Sequence, residues 1–159
     1  MWTADLPLLA LTTTLLVRWW PGGRKPAILA VLFIGLAWLP VAFALYSAQS
    51  IAYAATGMFW LGRAPAHALF IGFFASILVA MVTRVTQGHS GRPLNMPAVA
   101  WLAFASIQLV ALVRVAAEVA PDPMAWQAVA ACGWLLAFAP WVARIGRIYL
   151  SPRADGKPG

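Results

Sequence analysis

Apolar residues in this chain run in long stretches separated by short polar loops, without the alternation of a half-buried strand or the one-sided stripe of a surface helix. Stretches that are apolar all round either fill the core of a large protein or cross a bilayer. The first, Leu6 to Trp20, is interrupted by Thr12, Thr13 and Thr14. Its 15 residues fall short of the roughly 20 that a bilayer-crossing helix needs, so it crosses only by taking in Trp2 to Asp5 or by lying against neighbours. Pro26 opens a second stretch, Ala27 to Gln49, which is long enough; Pro40 in its middle predicts a kink, tolerated in membranes where a neighbour re-satisfies the freed carbonyl. Residues Ser50 to Ala64 mix Tyr53, Thr56, Trp60 and Arg63 with small apolar residues and read as an interfacial helix or re-entrant piece, with Tyr53 and Trp60 at headgroup level. Pro65 starts a third helix that runs to about Gln87. A fourth extends from Pro97 to near Glu118 and a fifth from Met124 to about Leu150, joined by the short Pro121-Asp-Pro123 turn that makes them antiparallel neighbours.

The predicted fold is all-α: a polytopic transmembrane bundle of five helices, four if the first does not span, forming one domain over residues 1–150 with a disordered cytoplasmic tail at 151–159. Within the third helix Ala68, Gly72, Ser76 and Ala80 recur every four residues, a stripe that lets another backbone approach closely. Left open, that face would favour association with something larger. Arg114 and Glu118, four apart, are placed to neutralise each other.

Charge adds orientation. Arg18, Arg24, Lys25, Arg84, Arg92, Arg144, Arg147, Arg153 and Lys157 fall on one side of the five-helix arrangement, and Arg63, with Arg114 near its helix end, on the other. By the positive-inside rule the first side is cytoplasmic, which puts the N-terminus in the periplasm and the C-terminus in the cytoplasm of a bacterial inner-membrane protein. Of 159 residues 63% are hydrophobic and 9% charged, against about 45–50% and about 25% in soluble domains, so the lipid bilayer is the first partner. The net charge of +7 belongs to these loops, and a nucleic-acid partner is discounted. The one cysteine, Cys132, excludes an internal disulfide and a cysteine-based zinc site, and within its apolar run it reads as a buried structural thiol. No basic segment precedes the first apolar run, so no cleaved signal peptide is expected.

Candidate chemistry rests on few residues. His67 stands in the first turn of the third helix, where the helix dipole disfavours positive charge and favours the neutral ring that can ligate a metal or haem iron; the plain alternative is an interfacial histidine bonded to a loop carbonyl. His89 lies 22 residues on, about 33 Å along a helix, so the two histidines cannot share a metal. Around His89, Gly88 and Gly91 permit backbone amides to converge on an anion, and Arg84 and Arg92 add two cations; lipid phosphate or haem propionates would suit, while topology and snorkelling are the plain alternative. Met58, Met81, Met96 and Met124 are soft enough for copper but read as packing residues. No phosphate loop, nucleophile–base pair, paired carboxylates or metalloprotease motif is present.

The run His67-Ala-Leu-Phe-Ile-Gly72, followed by Met81-Val-Thr-Arg84 and Gly88-His-Ser-Gly-Arg-Pro-Leu94, resembles the NnrS family of bacterial inner-membrane proteins. The resemblance is specific from His67 to Leu94. It implies a polytopic protein that contains haem and copper and is associated with denitrification and with coping with nitric oxide. It also implies that members are considerably longer than this chain, which corresponds to their C-terminal part. His67, Arg84, His89 and Arg92 carry over by motif as cofactor-binding candidates, with His67 the metal ligand.

The expectation is a membrane haem-binding protein, with copper as a second cofactor, acting in nitric oxide stress or denitrification. Turnover is left open, because no acid–base pair is identifiable. The alternative is a cofactor-free accessory subunit that packs its small-residue stripe against a larger membrane complex, with other membrane helices, a partner subunit or a second copy as the neighbour. A small transporter is weaker, since no charge sits near mid-span.

Overall fold

The computed structural model describes residues 2–23 and 26–156; Arg24, Lys25 and Lys157 of the charge count lie outside them. The described residues form helices and connecting turns with no strand. Helix α1 is Trp2–Trp19, so it does take in Trp2 to Asp5. Helix α2 is Ala27–Thr56, α3 is Ala64–His89, α4 is Ala98–Ala117 and α5 is Pro123–Tyr149. Four of them, α2 to α5, are long and apolar enough to cross a membrane. Their outer surfaces carry exposed Leu78, Leu109, Leu112 and Leu136, which suits lipid rather than water.

The helices pack in series. α1 lies on α2, α2 on α3, α3 on α4 and α4 on α5, with α5 also touching the last turns of α3. The core sits where α2, α3 and α4 meet, around Val31, Val79, Phe104 and Ile107. Ala68, Gly72, Ser76 and Ala80 are all buried there. The stripe is therefore a packing face, but one already covered by this chain's own helices. At Gly72 the Trp38 ring of α2 lies where a Cβ would be. Trp38 Nε1 donates to Gln108 Oε1 (2.7 Å), and Gln108 Nε2 donates to Ser76 Oγ (2.6 Å). Two turns further along α3, Trp141 Nε1 donates to Thr83 Oγ1 (3.0 Å). These bonds satisfy polar groups that lipid could not, and tie α2, α4 and α5 to α3.

Three expectations are corrected. Residues 50–56 continue α2 instead of forming an interfacial or re-entrant piece. Gln49 and Ser50, which read as a polar break, find partners that let the helix go on: Gln49 accepts from Leu61 N–H and donates to Gly62 O, and Ser50 donates to Asp5. The helix ends at Gly57, φ 72°, whose N–H returns to Tyr53 O. Tyr53 then stacks on Phe59, and Trp60 Nε1 donates to Thr56. Cys132 is exposed, because α5 contacts its neighbours along one side only and turns Val129, Leu135 and Leu136 outward with it. Glu118 pairs with His67 and not with Arg114. Pro40 lies inside α2 without ending it.

The helix ends define two faces. One gathers the start of α2, the ends of α1, α3 and α5, and, among described residues, Arg18, Arg84, Arg92, Arg144, Arg147 and Arg153. The other gathers Asp5, Arg63, His67, Arg114, Glu118 and Asp122.

Candidate functional site

The acidic face is built around Glu118. The turn after α2 is held by Gln49, and it brings Arg63 N–H to Glu118 Oε2 (2.9 Å). Gly62, φ 46°, leaves the space in which that carboxylate sits; a Cβ there would run into it. His67 Nε2 lies 3.1 Å from Glu118 Oε1, and Gln127 of α5 donates to the same oxygen at 3.4 Å. Both members of the couple are largely covered, with 12% and 11% of their side chains exposed. Burial pushes the Glu118 carboxyl up, but hydrogen bonds from Arg63 N–H and His67 Nε2, with the positive charge of Arg63, hold the group below its ordinary range. An ionised carboxylate only accepts, so Nε2 is the protonated ring nitrogen and the neutral imidazole keeps Nδ1 as a free lone pair. Histidines that ligate metals are commonly held this way, through the other ring nitrogen, by a carboxylate.

Next to the couple α3 departs from α-helix. Residues Ala68–Ala75 form a π-helical segment, a geometry frequent at functional sites. Its Phe70 and Ile71 form one wall of a groove of about 520 Å³, closed by Val110 of α4 and by Trp134 and Leu135 of α5. Arg114 enters this apolar groove, and its buried Nε has no hydrogen-bond partner. His67 lies one turn before Ile71 and Glu118 one turn after Arg114. The groove thus has apolar walls and a guanidinium whose buried Nε is unsatisfied, and the oriented imidazole stands one turn of α3 before the Ile71 wall, outside the lining itself.

The basic face is arranged differently from the expected anion nest. Gly91, φ 67°, donates to Gly88 O, and Arg92 N–H donates to Gln87 O (2.9 Å). That pair of bonds is the Schellman termination of α3, so these amides are spent on the helix end. Gln87 further grips Asn95 through both its amide atoms. Residues 151–156, expected as the start of a disordered tail, fold back on this loop: Ala154 N–H donates to Ser90 O and Asp155 sits against Gly91. Arg84 and His89 are exposed and border a shallow depression, whereas Arg92 opens on the opposite side beside Arg144 and Arg147. Of the four residues singled out, only Arg84 and His89 come together; His67 stands at the far end of α3 and Arg92 faces a separate cleft.

The NnrS protein family model matches residues 1–153. The chain belongs to the NnrS family. No curated protein and no solved structure matches it. The match takes in all five helices, well beyond the loop signature of the NnrS chain.

Haem and copper, which NnrS membership implies, place different demands on these residues. Haem brings four ring nitrogens of its own, so one imidazole, apolar walls and a cation for a propionate are what it asks of protein; the groove supplies the walls and Arg114, and His67 is an imidazole one turn of α3 away. Copper needs several protein donors. No cluster of three or more His, Cys, Asp or Glu occurs among the described residues, so the fit for copper is incomplete. Local spacing ties Glu118 to Arg114, four residues off, whereas its partner His67 is 51 residues distant; Gln127, nine residues on, reaches it from the next helix, and no sequence pattern marks it.

Proposed function

We propose that this NnrS-family membrane protein binds haem in the groove between α3, α4 and α5 and serves nitric oxide stress response or denitrification. The observation that carries the reading is the His67–Glu118 couple one helical turn from an apolar groove that Arg114 enters with its buried Nε unpartnered. Glu118 holds the ring by Nε2 and leaves Nδ1 for iron. Arg114 answers a propionate, and Phe70, Trp134 and Leu135 exclude water. Haem bound there would supply an iron able to coordinate diatomic gases, nitric oxide among them. The couple offers copper two donors, so a copper site at His67 takes its other ligands from another polypeptide. Neither Arg84 nor His89 has a part in this reading.

The charge asymmetry supports an inner-membrane orientation with the basic face in the cytoplasm and the His67 face in the periplasm. The accessory-subunit reading loses its docking face, since Ala68, Gly72, Ser76 and Ala80 are covered from within. The test is direct: purify the chain in detergent from cells supplied with haem, record oxidised and reduced visible spectra, and measure iron and copper. A Soret band that His67→Ala abolishes and Arg114→Gln weakens is expected. A colourless protein without iron overturns the proposal.

A further inference from the structure

We propose that the cleft at the basic face, between the loop after α3 and the end of α5, binds a phosphate group, carried by an anionic lipid or free in solution. The cleft has a volume of about 500 Å³; Arg92, Arg144, Arg147 and Ser151 give it one polar side, and Val99 and Pro140 an apolar one. Arg92 is only partly exposed, and its Nη1 is fully covered without a hydrogen-bond partner. None of the three arginines is in an ion pair among the described residues. The acidic residue at this face, Asp155, is gripped by Arg153 through two bonds, Nε to Oδ1 (2.9 Å) and Nη2 to Oδ2 (2.7 Å). Three guanidinium groups therefore line one concavity with no anion among the described residues paired to them.

Topology and the helix dipole account for Arg144 and Arg147, which sit in the last turns of α5 where cations are favoured. Neither accounts for Arg92. It is on a loop, it could extend into water, and instead it covers a charged donor without pairing it, an arrangement that is costly until an acceptor arrives. Planar guanidinium forks match tetrahedral phosphate oxygens in pairs. The apolar wall beside them, at a membrane surface, suits the glycerol and first methylenes of a lipid. This inference stands apart from the haem reading, since the cleft and His67 lie at opposite ends of α3.

The test uses the full chain in dodecylmaltoside micelles. Thermal unfolding is followed while dioleoylphosphatidylglycerol, dioleoylphosphatidylcholine or sodium phosphate is titrated in at matched ionic strength. Stabilisation by phosphatidylglycerol over phosphatidylcholine identifies a lipid phosphate, and stabilisation by sodium phosphate alone identifies the free ion. Arg92→Gln removes a charge-assisted contact and should raise the concentration needed on the order of tenfold. Arg144→Gln, an exposed position, should do likewise and serves if Arg92→Gln does not fold. Arg84→Gln, outside the cleft, should leave the titration unchanged. Equal responses to the two lipids with none to phosphate overturn the proposal. So does an equal loss in Arg84→Gln and Arg92→Gln, which would reduce the effect to overall charge.

Discussion

Replacing Glu118 separates its two jobs, holding the turn before α3 and orienting His67. Two good hydrogen bonds reach the carboxylate, from Arg63 N–H at 2.9 Å and from His67 at 3.1 Å; the third, from Gln127 at 3.4 Å, is long enough to count for little. Glu118→Ala leaves both strong donors without an acceptor. A buried unsatisfied donor costs about 1–3 kcal/mol, and because the couple lies near helix ends, within reach of water, the lower half of the summed range applies, about 2–4 kcal/mol. Glu118→Gln keeps the shape and one acceptor oxygen. If that oxygen serves Arg63 N–H, the amide NH2 faces His67 Nε2, and the ring must move its proton to Nδ1 to accept from it. The expected loss is then about 1 kcal/mol, while the nitrogen free for iron disappears. The assay is unfolding in mixed micelles titrated with dodecyl sulfate, together with haem retention by the Soret band. An Ala variant that loses under about 0.5 kcal/mol would refute the buried couple. A Gln variant that retains haem with an unchanged spectrum would refute the tautomer argument.

Gly72→Val sets a branched side chain where the Trp38 ring lies and should cost about 1–3 kcal/mol in the same unfolding assay, with Trp38→Leu in the same chain recovering part of it. At Gly91, φ 67°, Ala is strained by about 1–2 kcal/mol and its Cβ also meets Asp155, so amide hydrogen exchange over residues 88–95 should quicken. Acid should weaken the wild type through Glu118. Its folded pKa lies below the ordinary 4.5, so its contribution is complete above pH 4.5 and fades as pH falls through the lowered value; Glu118→Gln should flatten that part of the stability profile. A profile with the same acid limb in both proteins would assign the loss to other carboxyl groups.

Helices could be read from hydropathy because lipid demands long apolar segments, and Pro26, Pro65 and Pro97 mark their starts. Their polar interruptions could not be read the same way. Gln49 and Ser50 look like a break until their partners are known, and those lie 12, 13 and 45 residues away. Local spacing likewise gave Glu118 to Arg114, four residues off, while its partner His67 is 51 residues distant. The small-residue stripe announced a close approach but not by which helix; the Trp38 ring and the Gln108–Ser76 bond supply that answer. The glycine-rich loop was legible as a special conformation, yet the same glycines serve a Schellman ending as readily as an anion nest. Only the acceptors Gly88 O and Gln87 O decide between them.

The two ends of α3 should act independently. From His67 to Arg84 the buried polar groups of α3 are Ser76 and Thr83, each bonded to a neighbouring helix through Gln108 or Trp141, and no ionisable side chain lies between those two residues on α3. A charge change at the basic cleft is therefore felt at His67 only across about 33 Å, or through a shift of the whole helix. The Trp38 ring wedged at Gly72 and the bonds to α4 and α5 oppose such a shift. Arg92→Gln should thus alter phosphate binding and leave haem retention and the Soret position as in the wild type. A change in that spectrum would show that α3 moves as a unit and that its two ends are coupled through its packing.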